Sequence, residues 1–189
     1  MNRLPTVLFA ALFCAFACGC SAKFVRERPL RVACTVESTL DAAPAVAELA
    51  KLEGVKVQHL QGEWKGRIFE AQAVLKGDGK SFTAVMLAPQ MRLLTVEVTP
   101  PYRMEWVRAR QLPEVFEPEY VLLDLAYVNL PLEVLKSALA PDLNVFEEGG
   151  VRTLSTPSGE VVTIVRFESD GTCTLENPVR EYRYTVTSE

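Results

Sequence analysis

The sequence predicts a mainly β (α+β) chain, a curved antiparallel sheet forming an incomplete barrel with helices across its mouth or interior. Three observations carry that expectation. Apolar residues recur at every second position over most of the chain, and strong turn signals separate these runs. Two stretches with helical spacing interrupt the pattern, and the second is too apolar to stand uncovered. Consecutive hairpins make strongly curved sheets, whose oily concave side needs such helices.

The first helix is expected from a cap at Asp41 to about Glu53, with Val46, Leu49 and Ala50 at helical spacing and Gly54 as its stop. An early strand carries Val57, His59 and Gln61. From Gly66 to Lys76, Phe69, Ala71, Ala73 and Leu75 share one face, opposite Glu70 and Gln72. The turn Lys76-Gly77-Asp78-Gly79-Lys80 reverses the chain. Phe82, Ala84 and Met86 line the next strand, then Leu94, Val96 and Val98, then Tyr102, Met104 and Trp106 opposite Arg103 and Glu105. Between Pro118 and Pro141 lies the second helical stretch, which Pro131 divides in two by removing an amide donor. A meander then runs through turns at Gly149-Gly150, Ser158-Gly159 and Asp170-Gly171 to Tyr182, Tyr184 and Val186.

Ahead of this domain stands Ala17-Cys18-Gly19-Cys20-Ser21, preceded by Arg3 and the apolar run Val7 to Phe16. That run is too short for a permanent bilayer helix and ends in small residues suited to cleavage. Residues 1–19 therefore read as a removable lipoprotein signal peptide, and Cys20 as the residue that receives the diacylglycerol. Cys18 is the second candidate; an ordinary secretory peptide is the alternative. Residues 20–29 read as a lipidated tether carrying Lys23, Arg26 and Arg28, and residues 30–189 as a single β domain. Acyl chains on Cys20 would anchor the protein stably. Ser21 rather than Asp after the cysteine favours, by resemblance to Gram-negative lipoproteins, sorting to the periplasmic face of the outer membrane.

Arg3 is the one charged residue in positions 1–19, so its removal leaves 19 basic against 24 acidic side chains and a net charge of −5. Nucleic acid is excluded as a partner on that balance. Within the domain Cys34 and Cys173 are an even pair, expected in an oxidising compartment to form one disulfide. The alternation Leu30, Val32, Cys34, Val36 offers the other reading of Cys34, a buried small hydrophobe.

Leu60-Gln61-Gly62-Glu63-Trp64-Lys65-Gly66, the hairpin around Lys76-Gly77-Asp78-Gly79-Lys80, Met86-Leu87-Ala88-Pro89-Gln90 and the central helices lie in a span, residues 40–187, that resembles the LolA/LolB-like periplasmic carriers. More closely it is similar to an uncharacterised family of bacterial lipoproteins sharing that fold. The resemblance implies a LolB-like half-open β-barrel with a helical lid, whose hydrophobic cavity accepts acyl chains of the palmitate class from lipoproteins or related lipids. It also implies the outer-membrane bilayer and a LolA-like periplasmic donor as partners. LolB carriers deliver cargo with a protruding apolar loop; the matching segment here is Pro89-Gln90-Met91-Arg92-Leu93, which makes Met91 and Leu93 its membrane-delivery residues.

The physical form of the same expectation is an acyl chain leaving water at about 25 cal/mol per Å² of apolar area buried, with no catalytic group required. Candidate lining residues are Phe69, Leu75, Phe82, Met86, Val96, Met104, Trp106, Leu122, Leu125 and Leu135; the competing role for each is solid core. Arg92, Arg103, Arg108 and Arg110 either meet lipid phosphate or pair with Glu105, Glu114 and Glu117. No enzyme is expected. His59 is the single histidine and has no adjacent nucleophile motif, while G-x-S-x-G, H-E-x-x-H, paired C-x-x-C and phosphate-cradling loops are missing from the sequence. Neither a cofactor nor a metal is expected. A continuous apolar pocket beneath residues 118–140 would mark a carrier; a dense interior would mark a scaffold or interaction lipoprotein of the envelope.

Overall fold

The computed structural model describes residues 22–27, 30–89, 91–101, 103–110, 112 and 117–189. The expected signal peptide and Cys20 lie outside the described residues. In chain order the elements are β1 (Ala22–Arg26), β2 (Arg31–Ala33), β3 (Thr39–Asp41), α1 (Ala43–Leu49), β4 (Val55–Trp64), β5 (Arg67–Gly77), β6 (Phe82–Ala88), β7 (Met91–Thr99), β8 (Arg103–Arg108), α2 (Pro118–Asn129), α3 (Leu132–Leu139), β9 (Asn144–Glu148), β10 (Val151–Ser155), β11 (Val161–Phe167), β12 (Cys173–Asn177) and β13 (Tyr182–Ser188).

Eleven of these strands form one antiparallel sheet in the order β1-β8-β7-β6-β5-β4-β13-β12-β11-β10-β9, and β2 pairs with β3 as a separate hairpin. The large sheet is not closed: β1 and β9 are its two edges. Its halves meet where β13 returns to pair along β4, from Tyr182 opposite Trp64 to Ser188 opposite Gln58. The expected alternation holds on β5, β6, β7, β10 and β12. Ala71, Ala73, Leu75, Phe82, Ala84, Met86, Leu94, Val96, Val98 and Met104 are buried on the inner side, whereas Glu70, Glu97 and Arg103 are exposed. Register shifts after Met86 and after Leu154 add bend to β6 and β10, as bulges do.

Residues 22–26, expected within a free tether, are instead an edge strand. Ala22 pairs with Arg108, Phe24 with Trp106 and Arg26 with Met104. Phe24 stacks on Trp106 at a centroid distance of 5.3 Å, and Lys23 reaches Glu105 at 2.7 Å. Phe24 and Lys23 thus make side-chain contacts that a solvated linker would lack.

Helix α1 is shorter at both ends than its periodicity suggests. Asp41 Oδ1 still accepts a hydrogen bond from the Ala43 amide at 3.0 Å. At the other end the chain leaves the helix because its last carbonyls face the β5–β6 hairpin. The Gly79 amide donates to Ala50 O at 2.8 Å. A Cβ on Gly77 would stand 2.4 Å from Leu52 O and 2.7 Å from Ala50 O. Only glycine admits that approach.

Helix α2 is the centre of the molecule. Val121, Leu122, Leu123, Leu125, Ala126 and Tyr127 are all buried together with Asp124, so the helix is apolar on most of its circumference and lies enclosed within the sheet's curve. Pro131 separates it from α3, as expected. Helix α3 turns Leu135, Ala138 and Leu139 inward, and α1 packs against both helices.

Polar groups from five strands hold α2 in place. Arg108 of β8 pairs with Glu117, and Arg26 of β1 with Glu119. Tyr182 and Tyr184 of β13 donate to Asp124 Oδ2 at 2.7 and 3.1 Å. Gln58 of β4 donates to Asn129 Oδ1 at 3.2 Å. Arg152 of β10 donates to Tyr127 O at 2.6 Å and Leu130 O at 3.0 Å, satisfying carbonyls that a helix C-terminus leaves open. Glu147 balances its charge at 2.7 Å, and the guanidinium lies 4.9 Å from the Phe167 ring centroid.

Cys34 and Cys173 are both free and buried, contrary to the expected disulfide. Arg180, in the β12–β13 turn, donates to Ala33 O and so places that turn beside Cys34. Cys173 opens β12 and Asn177 closes it beside the turn, so the second thiol sits roughly 13 Å away along the strand at about 3.3 Å per residue. Burial pushes each thiol up to about 11.

Two substitutions test this account by urea unfolding. Gly77→Ala should cost about 2 kcal/mol or more, because the obstructing atoms are backbone carbonyls. Arg152→Met should cost about 3 kcal/mol, by stranding the α2 carbonyls and Glu147 together.

Candidate functional site

Beneath α2 the packing of the described residues leaves an apolar recess. It is lined by Leu60 of β4, Phe69 and Ala73 of β5, Met86 of β6, Tyr184 of β13, and Val121, Asp124 and Leu125 of α2. Phe69 and Tyr184 are half-buried and meet edge to face at 6.1 Å, forming the side of the recess nearest solvent. The volume is about 30 Å³, on the scale of one water molecule's ~30 Å³ share of the liquid. In this conformation most of the space beneath α2 around this recess is filled by the chain's own buried side chains.

Of the ten lining residues expected from sequence, Phe69, Met86 and Leu125 meet at the recess. Leu75, Phe82, Val96, Met104, Leu122 and Leu135 are buried in the surrounding core without lining it, and Trp106 is half-buried beneath Phe24. Sequence reasoning assigned no role to Leu60, Ala73, Val121, Asp124 or Tyr184. Asp124 had a signal: one acid in the apolar run from Tyr120 to Tyr127.

Asp124 is 7% exposed, and its carboxyl is the acid of the recess. Burial pushes it up to about 7, even though the Tyr182 and Tyr184 hydroxyls and the more distant Arg180 guanidinium act in the opposite direction. The two phenols and that of Tyr127 are raised well above their ordinary value, chiefly by their own burial. Arg180 also lies 3.4 Å from the Tyr120 ring centroid. The recess thus combines an apolar wall with one acid and one phenol, a lining suited to holding an apolar body by one polar end.

The expected delivery loop is a tight connection instead. β7 begins at Met91, which is exposed, but Leu93 is half-buried and packs against the core. β6 ends at Ala88 and β7 begins at Met91, so two residues of sequence join these strands. Arg103 pairs with Glu105 and Glu27, Arg108 with Glu117, while Arg92 and Arg110 are exposed. His59 on β4 meets Glu189 at 2.7 Å on the outer side of the sheet. A larger open groove of about 680 Å³ lies along β4 and β13, with Gln61, Glu63, Ile68, Glu181 and Arg183 among its walls. Among the described residues no three or more His, Cys, Asp or Glu side chains are grouped to hold a metal, and no helix is long and apolar enough to cross a membrane.

Residues 55–189 match the model of a family described as "Protein of unknown function (DUF3261)". No curated protein matches the sequence. Among solved structures, a DUF1329 family protein from Desulfovibrio piger ATCC 29098 is similar over 79% of this chain and 91% of its own, at 6% identity and a TM-score of 0.36.

The state of Asp124 sets a pH dependence. The unfolded chain loses this proton near the ordinary value of 3.8 and the folded chain near 7. Between them the folded form binds a proton that the unfolded form has released, so this contribution is full below about pH 4 and is lost as pH rises to 7. Asp124→Asn keeps an acceptor for both tyrosines and cannot ionise. Relative to this variant, wild-type stability should fall by a few kcal/mol between pH 4 and 7 and stay level above. Parallel urea curves across that range would show Asp124 ionised throughout.

Proposed function

From the premise that the chain belongs to the DUF3261 family, we propose that it is a lipid-anchored, non-enzymatic envelope protein that takes an acyl chain into the space α2 now fills. On this reading Cys20 carries the anchor at the periplasmic face of the outer membrane. A lipoprotein or related lipid is the cargo, received from a LolA-like donor. The observation that carries the proposal is the recess of Phe69, Met86, Leu125 and Tyr184 beneath a helix that burial holds and polar contacts orient.

Energetics favour exchange over simple filling. A recess of about 30 Å³ admits no acyl chain, so α2 must yield. Each polar bond that seats the helix contributes about 1 kcal/mol net, whereas each methylene leaving water gains ~0.8 kcal/mol. The cargo must also offset the apolar area that α2 would give up, so long acyl chains compete better than short ones.

The packed interior supports a second reading, an interaction lipoprotein whose contacts are its sheet edges. One experiment separates the two. Protein exported to the periplasm without its Cys20 anchor is examined by mass spectrometry for co-purified lipid, and by titration with a fluorescent long-chain fatty acid. The carrier reading expects recovered acyl lipid and saturable binding, weakened tenfold or more by Ala73→Leu, which fills the recess, and retained in Met86→Ala, which enlarges it. Finding no lipid and no saturable binding in any of the three proteins would leave the interaction reading.

A further inference from the structure

The end of the sheet where the chain enters β1 carries a set of exposed bases without ion-pair partners among the described residues; the acids at the hairpin tip are Glu63, opposite Ile68, and Glu181, whose carbonyl accepts from the Lys65 amide. β1 starts at Ala22, paired with Arg108, which is itself opposite Leu94 near the start of β7. That end therefore holds the β6–β7 turn, the end of β8 and the tip of the β4–β5 hairpin, where Trp64 faces Arg67. Segments 64–68, 88–92 and 107–110 contain no acid. Lys65, Arg67, Arg92 and Arg110 are exposed, and none has an ion-pair partner among the described residues. Lys23, Arg26 and Arg103, on the same edge of the sheet but farther from these turns, are each paired with a glutamate.

Apolar side chains stand among these bases. Ile68 is 88% exposed beside Arg67, and Met91 is 38% exposed beside Arg92. Lys65 lies 5.4 Å from the centroid of the Trp64 ring, an aromatic of the kind that settles at head-group depth. The two-residue Lys65-Gly66 loop, with φ of 48° and 75°, fixes the hairpin tip in a turn matched to the strand twist.

We propose that this rim is a docking surface for a bilayer bearing anionic head groups, with Lys65, Arg67, Arg92 and Arg110 meeting phosphates and Ile68 and Met91 entering between them. The inference rests on the anchored reading above for its location. If Cys20 is acylated, it lies within ~7 Å of Ala22 at about 3.5 Å per residue, so the edge strand leaves no slack and the bilayer must meet this end of the sheet. Charge complementarity selects the partner: without residues 1–19 the chain carries −5 and is repelled by an anionic surface, so the basic rim sets which end approaches. Docked in this way, the sheet stands upright on the membrane with the β4–β5 hairpin lowered toward it.

Vesicle co-sedimentation of residues 20–189 bearing Cys20→Ser, the form left once the leader is removed, tests the surface without an acyl group, comparing phosphatidylcholine vesicles with vesicles that also contain phosphatidylglycerol. The expected result is at least tenfold tighter partition onto the anionic vesicles, lost in high salt. Lys65→Gln/Arg67→Gln/Arg92→Gln should reduce that preference tenfold or more. Lys56→Gln/Lys76→Gln/Lys80→Gln, an equal charge change at the other end of the same strands, should leave it intact. Equal losses in the two triple variants, or no preference for anionic vesicles in the parent, would overturn the proposal. Acylation of wild-type Cys20, read by mass spectrometry, decides the anchor independently: an unacylated Cys20 removes the anchor and leaves the rim measurement standing.

Discussion

The structure depends on enclosing one helix that is apolar on most of its circumference. Tyr120 to Tyr127 cannot face water on any flank, and a sheet that is open at β1 and β9 cannot by itself wrap them. The fold resolves this by placing α2 in the curve of the sheet, with α1 packed against it. Five strands then reach it with polar groups at its start, middle and end. Burial supplies most of the favourable free energy, and the polar contacts fix which rotation and depth of the helix is occupied. Arg152 illustrates the division: its aliphatic stem and ring contact belong to the core, and its guanidinium closes the helix end.

The same arrangement bears on function. A helix set inside the concavity competes for the space that an acyl chain would use, so cargo entry and helix displacement become one equilibrium. Asp124 sits at that junction, bonded to both tyrosines of β13 and lining the recess. Its burial raises the cost of ionisation, so the middle of the helix seat responds to pH.

Strand positions were legible in the sequence, because period-two alternation directly reports which face is buried. The division of the central helices at Pro131 was legible too, since a missing amide and a fixed φ act locally. The ends of α1 were not: Gly77 and Gly79 shorten it from across the fold, and nothing within residues 41–54 registers that approach. Neither was β1. Lys23 and Arg26 read as a solvated linker until Glu105 and Glu119 are brought beside them. The site was legible in part. Phe69, Met86 and Leu125 carried the right chemistry, but six other expected lining residues had the same chemistry and became core.

What the sequence by itself determined is the class of the protein: a β-rich domain with an oily interior and mid-chain helices, acidic overall, in the DUF3261 family over residues 55–189. These follow from local periodicity, composition and chain-wide patterning, which survive in one dimension. Tertiary structure alone decided that the concavity is occupied by α2, that Cys34 and Cys173 stand apart, and that Asp124 meets two tyrosines sixty residues away. Each of those outcomes is a distance between segments remote in the chain, set by β13 pairing along β4 and by packing to a density that leaves room for about one water.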